Sequence, residues 1–183
     1  MTLLQQFEEL ERLRSDLMAR LDGLESATLN RAPARGGWSA AQVAAHLIQA
    51  ERLSLEYLRK KTREPEAIAD SGAYEALKSR LLALAMRLPF KITAPARSGD
   101  VPDRAELEEL AADWESVRSG WREFIEQFPA ELAGKAVYRH PVAGPLSLAQ
   151  ALKFLADHFK RHLIQIERTL GEAARAASAA SAA

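Results

Sequence analysis

Residues 147–168 read SLAQALKFLADHFKRHLIQIER, and their apolar residues recur at spacings of three and four. This period predicts an amphipathic helix that buries one face. His158 and His162 lie four residues apart on that helix, so their side chains project from the same side, with Cβ atoms about 5–6 Å apart. His162 falls inside the edge of the apolar stripe and His158 lies next to it. The spacing therefore predicts that both imidazoles could share one ion.

Residues 39–52, SAAQVAAHLIQAER, repeat much of this pattern. His46 borders their apolar stripe, and the heptapeptide that begins at His46 nearly matches the one that begins at His162. Ser39 and Ser147 each precede a glutamine by three residues, which predicts a capping box at the start of both helices. The repeat favours two helices that do related jobs around a pseudo-symmetric site, although chance could produce it in a chain rich in Leu, Ala, Glu and Arg.

Three imidazoles at the borders of apolar faces need partners, because an unpaired buried polar group costs roughly 1–3 kcal/mol. One divalent cation bound by His46, His158 and His162 would satisfy all three rings together. It would keep a coordination position open, whereas structural zinc is normally closed by four ligands. The alternative is that His158 and His162 are half-exposed surface residues that bind no metal. Imidazole ligands suit Zn, Ni, Cu or Fe, and we expect zinc or nickel.

Helical periodicity covers most of the chain. It predicts long helices over about 2–24, 40–62, 103–128 and 148–170, with Thr2 and Asp103 as N-caps, and a short helix over about 73–88. A peptide around 136–140 is the only strand-like stretch. We therefore predict an all-α four-helix bundle with a short extra helix between the second and third long helices. Residues 1–170 form the single domain, and the Ala/Ser-rich tail 171–183 should fray or at best extend the last helix.

The composition excludes several classes of protein. Lys+Arg and Asp+Glu balance at 25 each, so no net charge attracts nucleic acid or anionic lipid. Cysteine is absent, which excludes disulfides, Cys-ligated zinc, iron–sulfur clusters and a thiol nucleophile from the chain itself. The acidic amino terminus is no signal peptide, and no apolar run reaches the roughly 20 residues that span a bilayer. We expect a soluble, cytoplasmic protein with neither nucleic acid nor membrane as a partner.

Two motifs resemble a known family. The first motif is Gly37-Trp38-Ser39 followed by Ala45-His46-Leu47, and the second is residues 140–147 followed by His158 and His162. Both are similar to motifs of the DinB/YfiT-like superfamily of small metal-binding four-helix bundles. They cover the second and fourth helices and the loop before the latter. The resemblance implies a divalent metal held by His46, His158 and His162. Its relatives with assigned functions are linked to transfer of bacillithiol, mycothiol or glutathione, others are labelled metal-dependent hydrolases, and many have no established activity.

Neutral imidazole ligands leave the ion its full charge. Such an ion lowers the pKa of bound water towards about 7 or deprotonates a coordinated thiol. Because the chain has no cysteine, any thiolate must come from a cosubstrate. We predict a metal-dependent S-transferase that uses a low-molecular-weight thiol and a small-molecule substrate. A metal-dependent hydrolase is the alternative, and a non-catalytic, metal-stabilised stress or interaction protein is the competing class.

Groups around the ligands should hold their free ring nitrogens. Gln49 lies one turn from His46, and Gln165 lies one turn from His162, so each is predicted to approach its histidine. Three helical carboxylates are alternatives, although such groups are usually solvated: Glu51, Asp157 and Glu167.

The remaining histidine and the aromatic residues have two interpretations each. His140 lies in a loop rich in Pro and Gly, where it is either an exposed residue or an acid-base or substrate contact at the pocket mouth. Trp38 and Trp114 are predicted to be core anchors rather than rings that stack on a substrate. The apolar fraction of 48% leaves material for a helix–helix face, and we predict a homodimer. The dense aromatic face of the third long helix instead supports the non-catalytic interaction class, because such a face could bind a second chain. That face consists of Trp114, Trp121, Phe124 and Phe128.

Overall fold

The computed structural model describes residues 1–68, 101–140 and 144–181. These ranges contain four long helices, one short helix and a small hairpin. The predicted short helix over about 73–88 lies outside the described residues. The elements are α1 (Leu3–Leu21), α2 (Ser26–Leu29), α3 (Ala40–Lys61), α4 (Leu107–Glu126), β1 (Tyr138–His140), β2 (Gly144–Leu146) and α5 (Leu148–Ser181).

The four long helices form a closed ring. α1 packs mainly against α4 and α5, and α3 packs against the same two helices. This arrangement confirms the predicted all-α bundle. β1 and β2 pair antiparallel just before α5, with Tyr138 opposite Leu146 and His140 opposite Gly144. No helix among the described ranges is long and apolar enough to cross a membrane.

Capping boxes begin the two helices that carry the predicted metal ligands. At α3, the Gln42 backbone N–H donates to Ser39 Oγ over 3.2 Å, and the Ser39 N–H donates to Gln42 Oε1 over 3.1 Å. At α5, the Gln150 N–H donates to Ser147 Oγ over 3.3 Å, and the Ser147 N–H donates to Gln150 Oε1 over 2.8 Å. Both predictions from the Ser-x-x-Gln spacing are confirmed. These caps fix where each helix starts and therefore the direction in which each histidine projects.

The predicted N-cap of α4 at Asp103 is wrong. The cap residue is Glu106 and the helix begins at Leu107. Asn30 explains the late start, because its side chain accepts from the Ala105 N–H and donates to the Ala105 carbonyl, each over 3.0 Å. This double hydrogen bond occupies the backbone groups that an earlier helix start would have used.

The aromatic residues of α4 turn into the bundle. Trp114 and Trp121 are 0% and 1% exposed, and Trp114 stacks on Phe159 of α5 with ring centroids 5.4 Å apart. Trp114 is thus a core anchor, as predicted. The two indoles are buried inside one chain, so they cannot supply the dimer surface that the sequence suggested. The homodimer itself stays a prediction.

The last helix continues through the Ala/Ser-rich tail as far as Ser181. Alanine has the highest helix propensity, which allows the extension at little cost. Ala173 is buried, and α2 packs against α5. Of the two expectations for the tail, the structure shows the extension of the helix.

A buried ionic cluster joins three helices. Arg118 on α4 donates from Nε and Nη2 to the Glu51 carboxylate on α3, over 2.6 and 2.9 Å, and from Nη1 to Glu11 on α1 over 2.8 Å. Trp114 Nε1 donates to Glu51 Oε2 over 3.3 Å, and Trp121 Nε1 donates to the Glu51 carbonyl over 3.1 Å. Burial raises the pKa of Glu51, while Arg118 and Trp114 oppose that rise. Glu51 is therefore part of the α3–α4 contact and is not a partner of a histidine ring.

Candidate metal centre

His46, His158 and His162 converge where α3 packs against α5. One nitrogen of each ring lies within 4.8 Å of the corresponding nitrogens of the other two. His158 Nε2 and His162 Nε2 are 3.1 Å apart. The His46 ring centroid lies 5.3 Å from that of His158 and 4.9 Å from that of His162. The i, i+4 spacing on α5 brings two of the rings together, and the packing of α3 on α5 adds the third.

The environment keeps these imidazoles neutral. Burial lowers the pKa of His46 to about 4, and the nearby His162 acts in the same direction. Burial lowers the pKa of His158 well below its ordinary value, and the nearby His162 and His46 act in the same direction. Burial also lowers the pKa of His162, against the opposing effect of its hydrogen bond with Gln165. A metal ion binds the neutral form of histidine, so the site holds its ligands ready at neutral pH.

Gln165 orients one of the ligands. His162 Nδ1 lies 2.9 Å from Gln165 Oε1, and because an amide oxygen only accepts hydrogen bonds, Nδ1–H is the donor. The tautomer with hydrogen on Nδ1 leaves a lone pair on His162 Nε2, which is the nitrogen that faces His158. The hydrogen bond therefore aims the donor atom at the place where the three rings meet.

Gln49 does not do the same for His46. The Nδ1 atom of His46 is buried and has no hydrogen-bond partner among the residues that the structure describes. Of the two similar heptapeptides, only the α5 copy shows its histidine–glutamine hydrogen bond among the described residues. A buried ring nitrogen without a partner is costly in the absence of a ligand.

The carboxylate alternatives on α5 are paired elsewhere. Asp157 accepts from Lys153 Nζ over 2.7 Å, and Glu167 pairs with Arg20 on α1. Neither makes a described hydrogen bond to a ligand ring. Asp157 is therefore paired along its own helix, and Glu167 is paired with α1 at the surface.

His140 is buried at the end of β1 and is not an exposed loop residue. Its ring centroid is 4.4 Å from that of Phe154, and Phe154 stacks on His158 with centroids 5.7 Å apart. Burial lowers the pKa of His140 to about 4. The structure thus places His140 beside the three ligands but separated from His158 by one phenyl ring.

Trp38 lies against His46, a contact that the sequence did not predict. Its indole ring is 4.9 Å from the His46 imidazole, at an interplanar angle of 45°. Gly36 and Gly37 precede it with φ values of 79° and 114°, a left-handed backbone that glycine adopts without strain. Trp38 also packs on the core as expected. Its position just before the Ser39 cap was the available signal, because such a residue often folds back on the first turns of a helix.

The two rings on α5 have the spacing of ligands that share a divalent cation. Two nitrogens that share a tetrahedral zinc ion lie roughly 3.3 Å apart when each Zn–N distance is about 2.0–2.1 Å. The His158–His162 pair has a separation of 3.1 Å, and the third nitrogen lies within 4.8 Å. In the described part of the chain, the group contains these three histidines and no carboxylate. All three donors are neutral nitrogen atoms that suit zinc or nickel.

The comparison with protein families agrees with this geometry. A family model described as the DinB superfamily matches residues 9–166. The chain belongs to the DinB superfamily. The match runs from α1 into α5 and contains all three histidines of the candidate site. Membership supports a metal-binding DinB protein in general terms. No curated protein and no solved structure matches this DinB chain.

Proposed function

We propose that this DinB protein binds one divalent cation, zinc or nickel, through His46, His158 and His162. We further propose that it transfers a low-molecular-weight thiol to a small-molecule electrophile. The observation that carries the proposal is the convergence of three neutral imidazoles whose donor nitrogens lie within 4.8 Å of one another. Three protein ligands with a position left for substrate are typical of catalytic rather than structural sites.

Each residue of the site has a distinct role in this function. A divalent cation held by neutral ligands retains its charge and lowers the pKa of a coordinated thiol or water. His158 and His162 present two nitrogens from adjacent turns of α5. Gln165 keeps His162 in the tautomer that can act as a ligand. His46 brings the third nitrogen from α3, where only 6% of the residue is exposed.

The absence of cysteine from the sequence supports transfer from an external thiol. The chain has no thiol of its own, so a sulfur nucleophile must arrive with a cosubstrate. We propose a cytoplasmic reaction, because such thiols are kept reduced there. Hydrolysis is the runner-up, since the same site could activate water in place of a thiol. The non-catalytic alternative has lost its main support, because the large indoles of α4 are buried within the chain.

Elemental analysis of the protein purified without a chelating column tests the metal site. We expect about one metal ion per chain, an expectation from a single three-ligand site. His162→Ala should lose most of this metal and melt at a lower temperature, because binding to the folded state stabilises it. His140→Asn is the matched control, since it removes a buried histidine outside the three ligands. Equal metal content in the wild type and in His162→Ala would refute the ligand assignment.

A thermal-shift screen of the metal-loaded protein tests the reaction class. Glutathione, bacillithiol, mycothiol and coenzyme A are the candidates, and S-methylglutathione is the control with a blocked thiol. A thiol at a hundred times its Kd stabilises the folded state by about 2.7 kcal/mol, which raises Tm by roughly 5–10 °C in a chain of this size. The shift should disappear in His158→Ala. No shift with any thiol, together with turnover of esters or amides, would favour hydrolysis.

A further inference from the structure

Two larger rings contact the imidazoles of the candidate metal centre. Trp38 lies 4.9 Å from His46, and Phe154 stacks on His158 with centroids 5.7 Å apart and planes inclined by 24°. They come from different parts of the chain, since Trp38 precedes α3 and Phe154 lies in α5. We call Trp38 and Phe154 the flanking rings. They are in ring contact with two different ligands of the proposed cation.

The flanking rings differ from the aromatic residues of the core. Trp114, Trp121 and Phe159 are at most 1% exposed, so their surfaces are used up by packing. Trp38 and Phe154 are only partly buried, although both also pack against the core. Each side chain therefore keeps part of its surface accessible while its ring contacts a ligand histidine. These two rings are therefore candidates for contact with a molecule bound at the cation.

We infer that the flanking rings determine specificity and that the site prefers a ligand with a flat aromatic group next to its metal-binding atom. This inference rests on the proposed function, because it assumes a cation held by the three histidines. Its physical basis is the quadrupole of aromatic rings, which favours offset-stacked and edge-to-face contacts between rings. A saturated group of the same size fills the same space but lacks these contacts. The expected preference is roughly 2- to 10-fold for each ring that the ligand meets.

Two matched thiols provide the test. 2-Phenylethanethiol and 2-cyclohexylethanethiol carry the same thiol on the same two-carbon linker and differ in whether the ring is flat. The full-length protein is loaded with Co²⁺, and thiol binding is followed by the sulfur-to-cobalt charge-transfer absorption. The measured quantity is the ratio of the two dissociation constants, which needs no assay of turnover.

The wild type should bind the phenyl thiol at least about 2-fold more tightly than the cyclohexyl thiol. Trp38→Leu and Phe154→Leu should each move the ratio towards one, whereas Trp38→Phe, which keeps a ring, should preserve most of it. Phe128→Leu is the control, because Phe128 is also a partly buried aromatic residue packed on the core. This control should leave the ratio unchanged.

The outcomes separate the inference from the proposed function. A protein that binds no Co²⁺ contradicts the metal site itself. If Co²⁺ and both thiols bind but the wild-type ratio is one, the inference is overturned. The same holds if neither leucine variant changes the ratio. In both cases the metal site is still supported. If Co²⁺ binds and neither thiol does, thiol transfer is contradicted. The ring preference is then decided by the ratio of the dissociation constants of benzoate and cyclohexanecarboxylate. If Trp38→Leu fails to fold, the wild-type ratio and Phe154→Leu decide the outcome.

Discussion

Replacing Arg118 by methionine removes the cation of the buried cluster that joins α1, α3 and α4. The side chains of Arg118 and Glu51 are only 2% and 4% exposed, so water cannot replace the lost partner. Glu51 would keep the Trp114 donor at 3.3 Å and lose both of its hydrogen bonds from the guanidinium. We expect a large loss of stability because a buried carboxylate is left without a counter-charge.

The size of this loss follows from the burial of the pair. Removing one partner of a buried ion pair typically costs about 3–5 kcal/mol. Each kcal/mol shifts Tm by about 2–4 °C in a chain of 150–250 residues, so Arg118→Met should lower Tm by roughly 6–20 °C. Burial already raises the pKa of Glu51, and Arg118→Met should raise it further. A group whose folded-state pKa lies above its unfolded value stabilises the protein at low pH, and this contribution is lost as pH rises through the folded pKa. The free energy of unfolding of the variant should therefore decrease at higher pH.

Urea unfolding at pH 7 measures this effect in a double-mutant cycle. Glu51→Leu combined with Arg118→Met should be more stable than Arg118→Met alone, because apolar replacement of a whole buried pair is often nearly neutral. Arg12→Met is the matched control, since the Arg12–Asp16 pair is exposed at 64% and 52% and should contribute less than about 1 kcal/mol. A loss in Arg118→Met no larger than in this control, or a double variant less stable than the single one, would refute the reasoning.

Three further predictions concern the site and the assembly. In the metal-free protein, burial lowers the folded pKa values of His46 and His140 to about 4 from the ordinary histidine value of 6.5, so the unfolded chain binds more protons between these values. Tm measured in EDTA should therefore fall as pH is lowered from 6.5 towards 4, and a flat profile would contradict the burial of these rings. Gln165→Leu should weaken metal affinity by roughly 10- to 100-fold in a chelator competition. Gln49→Leu should change the affinity little, because Gln49 makes no hydrogen bond to His46 Nδ1. Equal affinities would mean that the Gln165 hydrogen bond has no effect on the ligand. We also predict a homodimer, so light scattering should give about twice the chain mass of 20.2 kDa, and a mass near that single value would disprove it.

The features that the sequence predicted depend on short-range spacing. The capping boxes of α3 and α5 and the His158–His162 pair each lie within one helical turn, where sequence distance determines spatial distance. The third ligand, His46, could be added because it borders the apolar face of its own helix. A bundle brings such faces together, and the structure places the three rings in one group.

The features that the sequence did not reveal depend on contacts between distant segments. Glu51 resembled an ordinary solvated carboxylate, and only the packing of α3 on α4 brings it to Arg118. The start of α4 depends on Asn30, which lies before α3. The positions of Trp38 and Phe154 against His46 and His158 likewise require the folded arrangement. Periodicity assigns a residue to a helix face, but it does not identify the neighbour that the face meets.

The two functions of α3 restrict changes in its length. His46 points into the group shared with α5, and Glu51 binds Arg118 on α4. They are five positions apart, which at 3.6 residues per turn is an angle of about 140° around the helix axis. An insertion of one residue between them would rotate one side chain by about 100° relative to the other and shift it by about 1.5 Å along the axis. α3 could then meet α5 or α4 correctly but not both, so this segment should accept substitutions on its outer face and reject insertions and deletions.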